Sequence, residues 1–433
     1  MPVKKSRTRV LMFGWEFPPV ISGGLGVATL GLCKAMSPLA DVKMIIPKSV
    51  PDFNIPNIEL VGLNSLSQEQ LRELFKKEAE FEFTESAQGK RPSFGPYTRI
   101  PENEFISQKF YEVMHEDIKP FEIDDLYAGD VIKKVMEFAR ISVQYGLKQK
   151  FDVIHAHDWM TFLPGMELKL KTGKPLVLHV HSTEYDRAGE HSKNWVYDLE
   201  RRAMHLADRI IPVSHYTGTI CERHYGVDPG KIMPVHNGIE AVKHTVKKSP
   251  FDEKLVIFFG RVTMQKGPEY FVEAAKLVLA HHPNVKFVMA GSGDLLRPMI
   301  EKTAAYGLGD KFYFTGFLNK VMLNELLAIA DVYCMPSVSE PFGLSAVEAV
   351  QYGIPTIISK TSGVAEALHG SMQFDVWDVQ KFAQYIVAAL DYEGLRKSVV
   401  DANFHSLESI TWENCALQVM NVYQSIFNEN QQN

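Results

Sequence analysis

Two glutamates eight positions apart, Glu340 and Glu348, flank the string PFGL within SVSEPFGLSAVEAVQYGIP, residues 337–355. Glu340 follows the apolar run ADVYCMP, which predicts a strand, and Glu348 falls in a segment that predicts a helix. A turn at Pro341–Gly343 would open that helix and leave the backbone N–H groups of Phe342, Gly343 and Leu344 free. Such groups bind anions and sugar oxygens. Alone, the two glutamates read more simply as solvated charges. Arg261 and Lys266 stand in FFGRVTMQKG, residues 258–267, just past another apolar run. Against an anion, Arg can grip oxygens bidentately while Lys acts as a mobile point charge, though charges near a loop are usually solvated. Gly23 and Gly24 lie between a predicted first strand and first helix, where a backbone without Cβ atoms can approach phosphates closely. His155, His157, His179 and His181 form two H-x-H pairs at strand ends. With Asp158 they could build a metal cluster, or, as i and i+2 residues, simply face one neighbour.

These residues need a scaffold that presents strand ends to a common cleft. The runs RVLMFG, DVKMIIP, FDVIHAH, PLVLHVH, RIIPVS and KIMPVH, then KLVIFFG, VKFVMAG, KFYFTG, ADVYCMP and PTIIS, are short, near-continuous and β-branched, as for parallel strands buried on both faces. Helices are expected between them, over 25–37, 131–148, 194–206, 267–280, 322–330 and 343–352. This alternation predicts an α/β chain of two Rossmann-like, doubly wound domains facing a cleft. The polar stretch 238–253 reads as the linker, giving domains at 1–238 and 239–410. The last segment, 411–433, carries Trp412, Ala416, Val419, Val422 and Phe427 at helical spacing. At 433 residues and 45% hydrophobic, the chain is long enough for two cores. A net charge of −6 with no basic stripe speaks against nucleic acid as a partner. Cys33, Cys221, Cys334 and Cys415 are far apart and read as reduced, buried residues. No apolar run approaches a membrane span, and the chain reads as cytoplasmic.

An acid, PFGL and a second acid after seven intervening residues resemble the donor-site signature of retaining glycosyltransferases of GT-B fold, the family 4/group 1 enzymes with glycogen and starch synthases. GGLG at 23–26, HAHDW at 155–159, VHS at 180–182, VSHYT at 213–217, HNGIE at 236–240, FFGRVTMQKG at 258–267 and AGSGD at 290–294 are similar to family motifs and stand in the family order. The resemblance implies a nucleotide-sugar donor, a carbohydrate acceptor and no bound metal. It implies that Gly23 and Gly24 meet the diphosphate and that His181 contacts the transferred sugar. Glu340 would hold sugar hydroxyls, Glu348 would grip the ribose, and Asp158 and Trp159 would line the acceptor side. It also implies that segment 411–433 crosses back onto the first domain.

HAHDW and GGLG favour glucose as the sugar and an α-glucan as acceptor. Two departures stand against a close match: Ile21, where glycogen synthases carry Lys, and TSGVAEAL at 361–368, where they carry T-G-G-L. The stretch 75–125 has no family match. Its Phe81, Phe83, Phe94, Tyr97 and Phe105 could stack on sugar rings or form a small satellite core. Three other readings compete: transfer to a lipid-linked or small acceptor, a metal-dependent hydrolase built on the H-x-H pairs, and a sugar-nucleotide sensor without turnover. A sensor should have lost Arg261, Lys266 or Glu340, and all three are present.

Overall fold

The computed structural model describes residues 7–20, 23–50, 54–76, 109–122, 125–189, 193–240 and 249–432. Two open six-stranded sheets organise it. The first holds β1 (Thr8–Phe13), β2 (Ala40–Ile46), β3 (Ile58–Gly62), β4 (Val153–His157), β5 (Leu176–Val180) and β6 (Arg209–Pro212), in the order β3-β2-β1-β4-β5-β6. The second holds β7 (Lys254–Phe259), β8 (Val285–Ala290), β9 (Phe312–Gly316), β10 (Val332–Met335), β11 (Thr356–Ser359) and β12 (Met372–Phe374), in the order β12-β11-β10-β7-β8-β9. Both repeat one doubly wound plan, with every ladder parallel. In each sheet the chain reverses its direction of growth between two neighbours, β1 and β4 or β7 and β10. Open α/β sheets place ligands in the crevice beyond those strand ends.

The continuous apolar strands are buried on both faces, as Val153, Ile154, Val177 and Leu178 illustrate at 0% exposure. KIMPVH, expected as a strand, is instead an irregular edge segment. Met233 N donates to Ile210 O and Val235 N to Pro212 O along β6, and Pro234, whose nitrogen faces away from β6, leaves no N–H on the outer edge. β3 and β12, which were not expected from the sequence, each form one edge of their sheet, opposite β6 and β9. Helices occupy Gly24–Met36, Val131–Leu147, Trp195–Leu206, Pro268–Leu279, Lys320–Leu327 and Leu344–Gln351, each within a few residues of its expected span.

The helix Trp412–Gln432 packs on the first sheet's side of the molecule. Trp412, Ala416, Val419 and Tyr423 share a buried cluster with Leu32, Cys33 and Met36 of the helix Gly24–Met36. A Cβ on Gly31 would come within 2.2 Å of the Trp412 ring, so glycine there makes room for the indole. The chain passes between the two sheets near Ile239 and again near Thr411. These passages lie side by side, with Ile239 N donating to Ile410 O at 3.2 Å. All four cysteines are free and buried. From the unmatched stretch, Phe110, Val113 and Phe121 are buried in the first domain's core. Ile21 and the five aromatic residues suggested for sugar stacking lie outside the described residues.

Candidate active site

The second sheet supplies the charged half of the cleft. β7 ends at Phe259, so Arg261 stands just beyond the strand, exposed and with no ion pair among the described residues. The turn Met264–Lys266 then carries Lys266 back beneath β10. Gly267 closes that turn at φ +62°, and a Cβ there would lie 2.0 Å from Pro336 O. Only glycine satisfies both the left-handed backbone and this approach, which seats Lys266 beside the loop after β10. Lys266 Nζ donates to Glu340 Oε2, and Ser337 Oγ donates to the same oxygen at 3.2 Å. Glu340 is 6% exposed, so its charge is taken up by this pair.

Gly343 (φ +115°) opens the helix Leu344–Gln351. A Cβ on it would sit 3.3 Å from Glu340 Cγ. The N–H groups of Phe342, Gly343 and Leu344 have no acceptor among the described residues. Across the cleft, the open backbone of Gly23 and Gly24 faces this turn: a Cβ on Gly24 would be 3.8 Å from Leu344 Cδ1. Lys266, Glu340, Phe342–Leu344 and Gly24 therefore share one crevice, with Gly23 next to Gly24 in the chain and Arg261 two residues past the end of β7. Glu348, on the helix that Gly343 opens, accepts from Lys320 Nζ at 2.7 Å.

The first sheet supplies the wall opposite. Asp158 has φ +58°, rare for a residue with a Cβ, and starts the helix Trp159–Thr172. Its Oδ1 accepts from His181 N at 2.7 Å and Ser182 N at 3.3 Å, so it holds the end of β5 rather than facing open solvent. Burial raises its carboxyl to about 7, against the lowering effect of Arg187 and those two N–H groups. His181 is half-buried, and burial lowers its imidazole to about 3, so it is neutral at physiological pH. Trp159 packs edge-on against Trp195, with ring centroids 5.9 Å apart, and joins the first domain's core.

A carboxyl whose folded pKa is raised stabilises the fold fully below its unfolded value, about 3.9. That contribution is lost as pH rises through the folded value. Asp158→Asn keeps an acceptor for His181 N and removes the titration. The variant should gain thermal stability over the parent between pH 5 and pH 8, by up to a few kcal/mol at the upper end. Parallel melting curves across that range check this; a constant difference would mean that Asp158 is ionised throughout.

Contacts across the cleft flank Glu340 on both sides. Ser339 Oγ donates to Asp186 Oδ1 at 2.5 Å and pairs with Tyr216 OH at 3.0 Å. Ser214 Oγ donates to Pro341 O at 2.6 Å. Glu366 of the second domain accepts from His215 N at 2.9 Å and Tyr216 N at 2.6 Å, and pairs with His236 Nε2 at 3.1 Å. It thus caps the first domain's helix His215–Tyr225, where a carboxylate is favoured by the free N–H groups and the helix dipole. Glu366→Ala should widen the cleft and cost about 1–2 kcal/mol, the scale of a lost cap. Small-angle scattering would show the larger radius; an unchanged profile would mean that the serine contacts suffice.

Asp186, Ser339, Tyr216, Glu366 and Lys320 were not singled out from the sequence. Glu366 lies in TSGVAEAL and Tyr216 in VSHYT, so the motifs carried a trace of them. The Asp186–Ser339 contact spans 153 residues and leaves no local signal. The H-x-H pairs bring three buried histidines together. One nitrogen each from His155, His157 and His179 lie within 4.8 Å of one another. However, His155 Nε2 and His179 Nδ1 are paired at 3.2 Å, and His157 stacks on both rings at 22–27°, which points lone pairs in parallel rather than to one centre.

Two open doubly wound sheets, with cationic and acidic side chains at the facing strand ends, define a two-domain enzyme of GT-B architecture. The family model "Glycosyl transferases group 1" matches residues 241–404, and "Glycosyltransferase Family 4" matches residues 114–243. An uncharacterised glycosyltransferase of Methanocaldococcus jannaschii is 32% identical over 295 residues, covering 63% of this chain and 75% of its own. The chain belongs to this group 1/family 4 glycosyltransferase family. Glycogen synthase of Mycobacterium tuberculosis is 24% identical over 379 residues, 83% of this chain and 80% of its own. Sucrose-phosphate synthase from Thermosynechococcus elongatus shares the fold, with a TM-score of 0.70 and 19% identity over 98% of this chain and all of that one. Family membership removes the metal-hydrolase reading. No helix among the described residues is long and apolar enough to cross a membrane.

Proposed function

We propose that the protein is a retaining glycosyltransferase that moves glucose from a nucleotide-glucose donor to an α-glucan or similar glucosyl chain, with no metal in the reaction. The observation that carries this reading is the pairing of Lys266 with Glu340 after β10, beside the free N–H groups of Phe342–Leu344, with Arg261 just past the end of β7. A sugar seated there would have its hydroxyls held by Glu340, and the diphosphate would lie against Arg261, Lys266 and the Gly23–Gly24 backbone. As the anomeric C–O bond breaks, charge builds on the leaving phosphate, where the two cations and the N–H groups stabilise it. The acceptor hydroxyl attacks from the same face and its proton passes to that phosphate oxygen. The new bond then keeps the donor's configuration.

Glu348 takes the ribose hydroxyls once Lys320 yields. Phe317 is 77% exposed at the end of β9, three residues before Lys320, and offers a flat face to the base. Relatedness to a glycogen synthase over four-fifths of both chains supports glucose and a glucan acceptor.

The test is a panel of UDP-, ADP- and GDP-sugars, with and without maltooligosaccharides and with and without chelator. Nucleotide release from a glucose donor, accelerated by maltooligosaccharide and indifferent to chelator, is expected. Label that enters only a lipid-linked or small acceptor would overturn the glucan assignment, and loss of turnover with chelator would overturn the metal-free mechanism. A nucleotide bound without turnover would mark the sensor.

A further inference from the structure

Behind His181, four imidazoles line up on one face of β4 and β5. Residues i and i+2 of a strand share a face, and the register sets His157 directly opposite His179. His155, His157 and His179 are at most 1% exposed, and neighbouring rings stack with centroids 4.4–5.2 Å apart for the pairs 155/157, 157/179, 157/181 and 179/181. This stripe continues the apolar face that the helix Trp412–Gln432 covers, and Tyr423 of that helix reaches His155 Nδ1 at 2.5 Å. His155 Nε2 lies 3.2 Å from His179 Nδ1, and His157 Nδ1 lies 2.9 Å from His181 Nε2. Two buried nitrogens, His157 Nε2 and His179 Nε2, have no partner.

A neutral imidazole has one N–H and one bare nitrogen, so each bond in such a row dictates the next. His155 is the one partner of the Tyr423 hydroxyl among the described residues, and a buried hydroxyl keeps its hydrogen bond by donating. His155 Nδ1 is then bare and its Nε2–H donates to His179 Nδ1. His179 therefore carries its proton on Nε2. The facing ring of His157 is best accommodated with Nε2 bare, since two unpartnered N–H groups on stacked rings would repel and orphaned buried N–H groups are rare. His157 Nδ1–H then donates to His181 Nε2.

We propose that this buried row, started by Tyr423, fixes His181 as the tautomer protonated on Nδ1, which makes His157 and Tyr423 positioning residues that keep a hydrogen-bond donor turned to the sugar site. The consequence for turnover rests on the proposed role of His181 at the donor sugar; the tautomer pattern does not. Asp158 serves the same end from the backbone, through His181 N.

Ring-nitrogen correlation spectra of the full chain, with 15N-labelled histidine, read the tautomers directly. The expected pattern is Nδ1–H at His157 and His181 and Nε2–H at His155 and His179. Tyr423→Phe should release the pattern at His155 and His179. His157→Phe should return His181 towards Nε2–H and lower kcat by roughly 10-fold, the scale of one lost neutral hydrogen bond, while the donor KM stays within about threefold. His157→Asn, whose amide can donate from the place of Nδ1, should keep most of the activity. Nε2–H at His181 in the parent protein overturns the proposal, as does an unchanged kcat in His157→Phe when its spectrum has shifted. If no sugar nucleotide is turned over at all, the transferase reading fails while the spectra still decide the tautomers.

Discussion

Arg261→Ala and Lys266→Ala should each lower turnover of the nucleotide-sugar donor by roughly 100-fold or more, the scale for removing one preorganised group that meets charge developing in a closed site. The two variants should differ in character. Arg261 is exposed and unpaired, so its loss removes a phosphate contact and leaves the resting site as it is. Lys266 neutralises Glu340, so its loss leaves a buried carboxylate beside the Ser337 hydroxyl at 3.2 Å. Lys266→Ala should therefore also lose stability, while Arg261→Ala should melt like the parent. Steady-state kinetics on the preferred donor, with melting curves beside them, separate the two effects. Parental kcat in both variants would mean that the diphosphate lies elsewhere.

Trp412→Ala should cost about 3–5 kcal/mol, the range for deleting a large buried ring, and is the largest single stability loss anticipated. The indole is 6% exposed and fills the space that Gly31 leaves open, and its backbone N would lie 2.2 Å from a Cβ on Gly238. The indole therefore joins the first helix to the start of the C-terminal helix, while the contact at Gly238 is made by backbone that the substitution keeps. Removing the ring leaves a cavity against the Gly31 backbone, which has no side chain to fill it. Denaturant unfolding should show a lowered midpoint with an unchanged slope if the fold stays cooperative. A shift below about 1 kcal/mol would mean that the C-terminal helix is only loosely attached.

The placement of the second domain's candidate residues was legible because it is local. Arg261, Lys266, Glu340 and Gly343 each sit within a few residues of a strand end, and their spacing survives in the sequence. The sheets were legible for the same reason, since buried parallel strands are continuous apolar runs. The exceptions have physical causes. β3 and β12 are edge strands with mixed burial, and KIMPVH copies a strand's composition but pairs with β6 only through an isolated bridge and two hydrogen bonds. Trp159 was ambiguous in sequence, and in the structure it is partly buried and packs on Trp195 at the edge of the core. Side-chain partners between elements were out of reach altogether. No spacing rule links Lys320 to Glu348, Asp186 to Ser339, or Tyr423 to His155, since each depends on how the sheets and helices stack.

The central claim is transfer from a nucleotide sugar with retention, and the anomeric configuration of the product tests it most directly. Proton spectra of the product formed early from an α-linked nucleotide-glucose donor and a maltooligosaccharide should show a new α-glucosidic signal growing with nucleotide release. That is the outcome of same-face attack with the leaving phosphate as base. A β-glucosidic signal would demand opposite-face attack and a protein base, and would contradict the account.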